Sequence, residues 1–269
     1  MNILVKENKE KFNDFLYEKI DLRQFQYKYL RSYLQNKNNK LYDSSLININ
    51  EDSWILILDG DYLLVYGENW SREQFLEIKE LIDWKSSNNF QVAGNSELIF
   101  DLIDFWGISN YKIEKERIFY KSNNINKYSS KNIHKAKFAE QDELANMLKL
   151  YYHEEYKGKY DKPINECRKD IFKWIKDGKI YALKNSTGKI LSFCTVLNPD
   201  IGILFTKQKY RNQGNGKILL SYCANILLRK NNEIYIMTDK NEKASNIVCE
   251  KIGFNPFYNY SQLGINYTE

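Results

Sequence analysis

The stretch YRNQGNGKILL, Tyr210 to Leu220, places Arg211, Gly214 and Gly216 within six residues and runs straight into an apolar, helix-like segment. These residue types at this spacing read as an anion site. A strand that ends in a glycine-rich turn and opens a helix leaves backbone N–H groups unpaired and pointing outward. Glycine at 214 and 216 keeps side chains clear of the turn and lets a phosphate approach the backbone. Hydrogen bonds to a charged acceptor contribute about 1.5–3 kcal/mol each, whereas the helix dipole adds only about 0.3–1 kcal/mol. Backbone donors would therefore do most of the holding. The flanks keep the local field positive: from Ile201 to Asn232 there is no Asp or Glu, while Lys207, Lys209, Arg211, Lys217, Arg229 and Lys230 all fall there. Familiar nucleotide loops do not fit. A P-loop needs glycine where Arg211 stands and a hydroxyl where Ile218 stands, and the GxGxxG fingerprint needs glycine at Leu219.

Other chemistries are poorly supplied. Cys167, Cys194, Cys223 and Cys249 are far apart, with no CxxC spacing and none in the first 166 residues. They read as reduced thiols rather than a disulfide framework or zinc site. With His134 and His153 the only histidines, metal centres and His-based triads start badly, and no metal is expected. The net charge of +5 is modest and 33 of 40 cations are lysine, which fits a solvated surface better than a duplex-binding face. No nucleic-acid partner is expected. No run approaches the roughly 18 apolar residues of a membrane helix, and the opening MNILVKENKEKF is charged where a secretory signal is apolar. A cytoplasmic protein without a membrane partner is the expectation.

The elements that must position the turn fall into two parts. KSNNINKYSSKN, Lys121 to Asn132, is polar and without hydrophobic period, and reads as a linker. The first part, residues 1–125, shows helices over Lys9 to Ile20 and Gln24 to Leu34. Two apolar runs, SWILIL and DYLLVYG, follow, meeting at Asp59-Gly60 in hairpin chemistry. Ser71 and Gln74 form a capping box for a helix to about Trp84. NFQVAG reads as a strand, Ser96 to Trp106 as a helix ending at Gly107, and YKIEKERIFY as a strand. The second part, residues 126–269, predicts a strand near Ile133 to Phe138 and helices near Gln141 to Tyr152 and Ile164 to Lys176. Strands KIYALK, KILSFCTVL and IGILFTK lead into the glycine turn. Then come a helix from about Gly216 to Arg229, strand EIYIMT, a helix from about Lys243 to Ile252 and a terminal aromatic strand region. Both halves share one order of elements, and both last helices stop at glycine followed by an apolar residue, Gly107-Ile108 and Gly253-Phe254.

With these elements in place, ILFTKQKYRNQGNGKILL, EIYIMTD and SNIVCEKIGFNPF together resemble the GNAT superfamily of N-acetyltransferases, and IHKAKFAEQDEL resembles the first strand and helix of that fold. The resemblance spans about Asn132 to Tyr267. The whole chain is similar to a group of two-domain bacterial acetyltransferases with a divergent amino-terminal domain, in which VAGNSELIFDLIDFW has a counterpart. The implied fold is α/β, a mixed sheet with a carboxy-terminal GNAT domain preceded by a smaller, degenerate GNAT-like domain. The resemblance also implies acetyl-CoA or another acyl-CoA as cosubstrate, with its pyrophosphate on Arg211, Asn212, Gln213, Gly214, Asn215, Gly216 and Lys217. Its pantetheine arm would lie along Leu204, Phe205 and Thr206, with Ser245 nearby. The Phe205 N–H would polarise the thioester carbonyl, and an acceptor amine would attack directly.

One position departs from the family pattern. The helix before Gly253-Phe254 usually carries a tyrosine that protonates the departing thiolate, and here that position is Cys249. At 100° per residue, Ala244, Ile247, Val248 and Ile252 gather on one face with Ser245 and Cys249 on its flank, which lets Cys249 face the cofactor. It reads as a small packing residue, a substitute acid or a mark of weak activity, and the first is favoured because free cysteine mostly behaves as a small hydrophobe. For the general base, Asp200, His153, Glu154 and Glu155 are candidates. Tyr258 and Tyr260 stand first among aromatics that could flank an acceptor. The corresponding junction of the first half, YGENWSREQ, sets Gly67 beside Glu68 and Glu73, an acidic setting from which no CoA binding is expected. The leading expectation is transfer of an acetyl group to a primary amine on a small molecule or peptide, with a homodimer conceivable. The alternative is a noncatalytic CoA-binding or regulatory protein.

Overall fold

The computed structural model describes residues 24–36, 46–50, 54–67, 70–82, 89–128 and 132–265. The helix expected over Lys9 to Ile20 lies outside them. The chain divides into two compact units that are not contiguous in sequence. One takes the described residues up to Phe119 together with Asp239–Asn241 and the chain from Phe257; the other takes Tyr120–Thr238 and Glu242–Pro256.

In the first unit a 3-10 turn, Phe25–Tyr27, leads into α1 (Lys28–Asn36), which buries Leu30 and Leu34. Strands β1 (Leu46–Asn50), β2 (Trp54–Asp59) and β3 (Tyr62–Gly67) form an antiparallel meander. Asp59 pairs with Tyr62, so the hairpin turns on Gly60-Asp61, one residue later than Asp59-Gly60, with Gly60 at φ +61°. Helix α2 (Arg72–Leu81) crosses over to β4 (Phe90–Asn95), which lies parallel to β3. The capping box is present: the Ser71 side chain accepts from the Gln74 N–H, and the Gln74 side chain accepts from the Ser71 N–H. Helix α3 (Ser96–Phe105) starts on an Asn95 cap, and β5 spans Tyr111–Ser122. The last strand, β11 (Asn255–Ile265), pairs antiparallel with β4 from Tyr260 opposite Asn95 to Ile265 opposite Phe90. The order β1, β2, β3, β4, β11, β5 gives a mixed sheet. Val65, Ile78, Val92, Ile99, Leu102 and Leu263 form its dry core, each such side chain adding about 1.5–3 kcal/mol by leaving water.

The second unit holds an antiparallel sheet in the order β6 (Ile133–Lys135), β7 (Ile180–Lys184), β8 (Ile190–Val196), β9 (Ile201–Thr206). Helices α4 (Gln141–Glu155) and α5 (Ile164–Lys176) share a core with Phe193 and Phe205. Helix α6 (Asn215–Leu228) packs on β8 and β9, so every residue of β8 is buried. Strand β10 (Ile234–Asp239) and helix α7 (Lys243–Ile252) follow.

Residues 122–128, expected as part of a linker, are bonded into this unit. Ser122 Oγ donates to Gly253 O at 2.7 Å, Asn126 N donates to Ile252 O at 2.8 Å, and Ser221 Oγ donates to Asn126 O at 2.6 Å. A polar sequence without hydrophobic period can still be ordered when its partners are backbone carbonyls and a buried hydroxyl. The unit also buries a charge. Glu140 is held by His134 Nε2 at 2.8 Å, the Lys137 N–H at 2.8 Å and the Lys184 ammonium.

Candidate functional site

The site is built on the free edge of β9. Its β8 register runs Ser192 to Thr206, Phe193 to Phe205 and Cys194 to Leu204, then shifts so that Val196 meets Ile201. Gly202 and Ile203 therefore oppose Thr195 together, a β-bulge, and the Ile203 N–H donates to Thr195 Oγ1 at 2.7 Å. The bulge needs Gly202, because a Cβ there would lie 2.4 Å from that hydroxyl.

Ladder phase fixes which amides are available. Lys207 N donates to Leu191 O at 3.0 Å. Amide direction alternates along an antiparallel strand, so Phe205 also turns its N–H toward β8, opposite Phe193. The outward amides are those of Leu204 and Thr206. The expected donor, Phe205 N–H, is thus in the ladder, and its ring is buried in the core of α4 and α5.

Strand β10 meets β9 at one isolated parallel bridge, Asp200 with Tyr235, supported by Tyr235 N to Pro199 O at 3.4 Å. Among the described residues no ladder joins the two strands beyond it. Beyond that bridge β9 is unpaired on this side, leaving an opening between the strands onto which the outward Leu204 amide faces. Asp200 sits at the closed end, roughly 13 Å of extended chain from Leu204.

The glycine turn lies at the open end of β9. A 3-10 turn, Gln208–Tyr210, precedes Asn212 at φ +59° and Gly214 at φ +80°, and α6 starts at Asn215. Among the described residues, no protein acceptor serves the backbone N–H groups of Asn212, Gln213, Gly214, Asn215, Gly216 and Lys217; the next, Ile218, donates to Gly214 O. Six consecutive free donors make an anion nest. A Cβ on Gly214 would meet nothing within 4 Å, whereas one on Gly216 would come within 3.2 Å of Thr206 Oγ1. The nest is open above Gly214 and pressed against β9 at Gly216. The Lys217 ammonium lies 4.3 Å from the Tyr128 ring centroid. Arg211 reaches back along β9, donating to Thr206 O at 2.9 Å and to Glu154 Oε2 at 2.5 Å. The first unit's α2 instead satisfies its start with the Ser71–Gln74 box.

Cys249 lies inward. It is 1 % exposed, and burial, then Glu250 and Cys194, push its thiol up to about 12. The apolar face projected from Ala244, Ile247, Val248 and Ile252 is displaced in the structure: Ile247 is 48 % exposed, and the buried residues of α7 are Cys249 and Ile252. Cys249 lies near enough to Cys194 on β8 for that thiol to act on it, and Cys194 in turn bonds with Cys223 on α6. One turn earlier, Ser245 is exposed. Buried Tyr120 donates to Glu250 Oε1 at 3.3 Å, and its hydroxyl is held above its usual range by burial, then by Glu250.

The candidate bases are engaged. His153 Nδ1 is 2.9 Å from Asp161 Oδ2, Glu154 holds Arg211, and Asp200 is remote from the outward amide. Glu155 is half-buried near the end of α4. Tyr258 and Tyr260 group with the first unit, where Tyr260 packs on Tyr29 at 4.3 Å and Tyr258 on Phe119 at 5.4 Å. Sequence reasoning missed Tyr128, Thr195 and the Arg211–Glu154 pair. Only Thr195 had a nearby signal, the glycine at 202.

Comparison with known proteins bears on the fold. Residues 145–254 match the family model described as Acetyltransferase (GNAT) family. A GNAT-family acetyltransferase from Colwellia psychrerythraea superposes with a TM-score of 0.56 at 12% identity, covering 83% of this chain and 85% of that one. A GCN5-related N-acetyltransferase from Sphaerobacter thermophilus gives 0.53 at 12% identity, covering 89% and 86%, and a Drosophila protein gives 0.52 at 12%, covering 96% and 95%. No curated protein sequence matches the chain. At such identities the structural likeness is one of fold.

Proposed function

With a GNAT acetyltransferase domain over residues 145–254 as its premise, we propose that the protein transfers an acyl group, acetyl in the simplest case, from acyl-CoA to a primary amine on a small molecule or peptide. The observation that carries the reading is the run of six backbone donors without acceptors, Asn212 to Lys217, at the mouth of the opening between β9 and β10. A pyrophosphate fits such a nest: the donors are consecutive, the space above Gly214 is open, and the flanking residues 201–232 contain no acid. Acyl-CoA supplies an activated thioester, so no covalent enzyme intermediate is required.

The chain's own residues divide the remaining work. Backbone N–H groups of 212–217 hold phosphate, and Leu204 and Thr206 line the opening for the pantetheine arm. The outward Leu204 N–H, in place of that of Phe205, donates to the acyl carbonyl as negative charge builds there. Cys249 serves as packing: a thiol pushed up to about 12 and buried at 1 % is a poor proton donor, so solvent meets the thiolate's need. The first unit is read as binding no CoA, because the junction before α2 is acidic in sequence and two of its N–H groups, Ser71 and Gln74, are taken by the capping box.

The test is direct. Purified protein is given acetyl-CoA and a panel of primary amines, thiol release is followed, and CoA affinity is measured for wild type and Gly216→Glu. Amine-dependent thiol release, with affinity lost in Gly216→Glu, is expected. CoA binding without turnover on any amine would favour the noncatalytic reading, and normal CoA affinity in Gly216→Glu would remove the nest from the account.

A further inference from the structure

The arginine of the glycine turn is joined to the end of α4 by a contact that phosphate binding alone does not explain. Arg211 Nη2 lies 2.5 Å from Glu154 Oε2, its Nε donates to Thr206 O at 2.9 Å, and its guanidinium carbon stands 5.4 Å from the Phe205 ring centroid. The guanidinium is thus anchored on the end of β9 and capped by a carboxylate. Because residues 201–232 contain no acid, a carboxylate facing this turn has to come from elsewhere, and Glu154 supplies it from 57 residues away.

The pair is built to be exchanged. Its side chains are 39 % and 43 % exposed, so water screens their attraction and two long side chains must be fixed to keep it. A phosphate accepts the same guanidinium fork with two parallel, charge-assisted hydrogen bonds and brings more negative charge. The backbone donors beside it are uncommitted, so a phosphate docked there comes with partners that a carboxylate on α4 does not use. We propose that Glu154 is the resident anion of the phosphate site. It holds Arg211 in the cofactor-free protein, yields it to a cofactor phosphate on binding, and so sets the site's affinity by competition. The inference rests on the acyl-CoA reading above.

The sign of one measurement separates competition from support. If Glu154 merely steadied Arg211 for phosphate, removing its charge would weaken CoA binding; as a competitor, its removal strengthens it. Calorimetry of CoA with wild type and Glu154→Gln should show affinity rising roughly 1.4- to 5-fold, the equivalent of releasing an exposed ion pair. Pantetheine, which lacks phosphate, should bind both proteins alike, and the gain should vanish in an Arg211→Ala background. Unchanged or weaker CoA affinity in Glu154→Gln overturns the exchange. So does a gain that persists without Arg211, since Glu154 would then act only through its field on the phosphates. A wild-type protein that binds no CoA would sink the acyl-CoA reading and the exchange together, whereas wild type that binds CoA with no gain in Glu154→Gln sinks the exchange alone.

Discussion

The Lys217 ammonium rests 4.3 Å from the centroid of the Tyr128 ring, which ties the third residue of α6 to the segment that precedes β6. Tyr128 is itself fixed, its N–H donating to the buried Ser221 hydroxyl at 3.2 Å. A cation over a tyrosine face gains about 0.5–1 kcal/mol at exposed sites, enough to keep the charge beside the nest instead of in bulk water. Tyr128→Ala should therefore weaken CoA binding by roughly 2- to 5-fold, while Tyr128→Phe keeps it, as titration calorimetry would show. Equal affinity in the alanine variant would mean that Lys217 contributes nothing to the nest from this position.

The two glycines of the turn should respond differently to the same substitution. Gly214 has open space around a Cβ but sits at φ +80°, where a side chain costs about 1–2 kcal/mol. Gly216 is helical, and a Cβ there would sit 3.2 Å from Thr206 Oγ1, so the gain in helix propensity, about 1 kcal/mol, is offset by crowding. Urea unfolding should show Gly214→Ala destabilised by about 1 kcal/mol and Gly216→Ala nearly unchanged. The reverse order would mean that the turn relaxes away from its left-handed geometry.

What the sequence made legible was local. The nest could be read because Arg211, Gly214 and Gly216 are neighbours in the chain, and the strands could be read because SWILIL, DYLLVYG and KILSFCTVL carry their burial in contiguous apolar runs. LININ escaped notice because β1 alternates asparagine with apolar residues and is only five residues long. Which amide of β9 faces outward, that of Leu204 and not that of Phe205, was not legible because amide direction depends on ladder phase, which the bulge at Gly202-Ile203 and the partner strand determine. The face of α7 was misplaced for a related reason. A helical wheel ranks Ile247 above Cys249, but which side of the helix meets the rest of the unit is set by tertiary packing, and it is Cys249 that is buried. The Arg211–Glu154 contact joins residues 57 apart, and no spacing rule reaches that far.

Glu140 links β6, β7 and the start of α4, and its protonation should loosen all three. Burial alone would raise its carboxyl, but hydrogen bonds from Lys184, the Lys137 N–H and His134 outweigh it and hold the group below its ordinary 4.5. A carboxyl depressed on folding adds stability above its unfolded value and loses it as pH falls through the folded one. Wild type should therefore lose stability below about pH 4.5, and Glu140→Gln should show less of that loss. Because glutamine keeps one accepting oxygen but sets an NH2 where the other stood, either the Lys137 N–H or the His134–Lys184 pair loses its acceptor, and the substitution should cost about 1–3 kcal/mol at neutral pH by urea titration. A cost within error of zero would mean that solvent replaces the carboxylate at no penalty.

Cys249 makes the opposite pH prediction, at the alkaline end. Its thiol is pushed from an ordinary 9.0 up to about 12 by burial first, with Glu250 and Cys194 adding to it. The folded protein thus keeps a proton that the unfolded chain releases, so the stabilising effect is complete below pH 9.0 and is lost as pH rises toward about 12. Between those limits one such group lowers unfolding free energy by up to about 1.4 kcal/mol per pH unit. Replacing Cys249 with alanine removes the titrating group while leaving a small cavity against Ile252 and the neighbouring thiols. The variant should be less stable near neutrality by about 1 kcal/mol, yet lose less stability than wild type between pH 9.0 and about 12. Acyl transfer should survive, because a buried thiol held this high is a poor proton donor and solvent can reprotonate the leaving thiolate. An alanine variant that bound CoA normally but transferred no acyl group would return Cys249 to the chemistry and require the helix to turn it toward the opening.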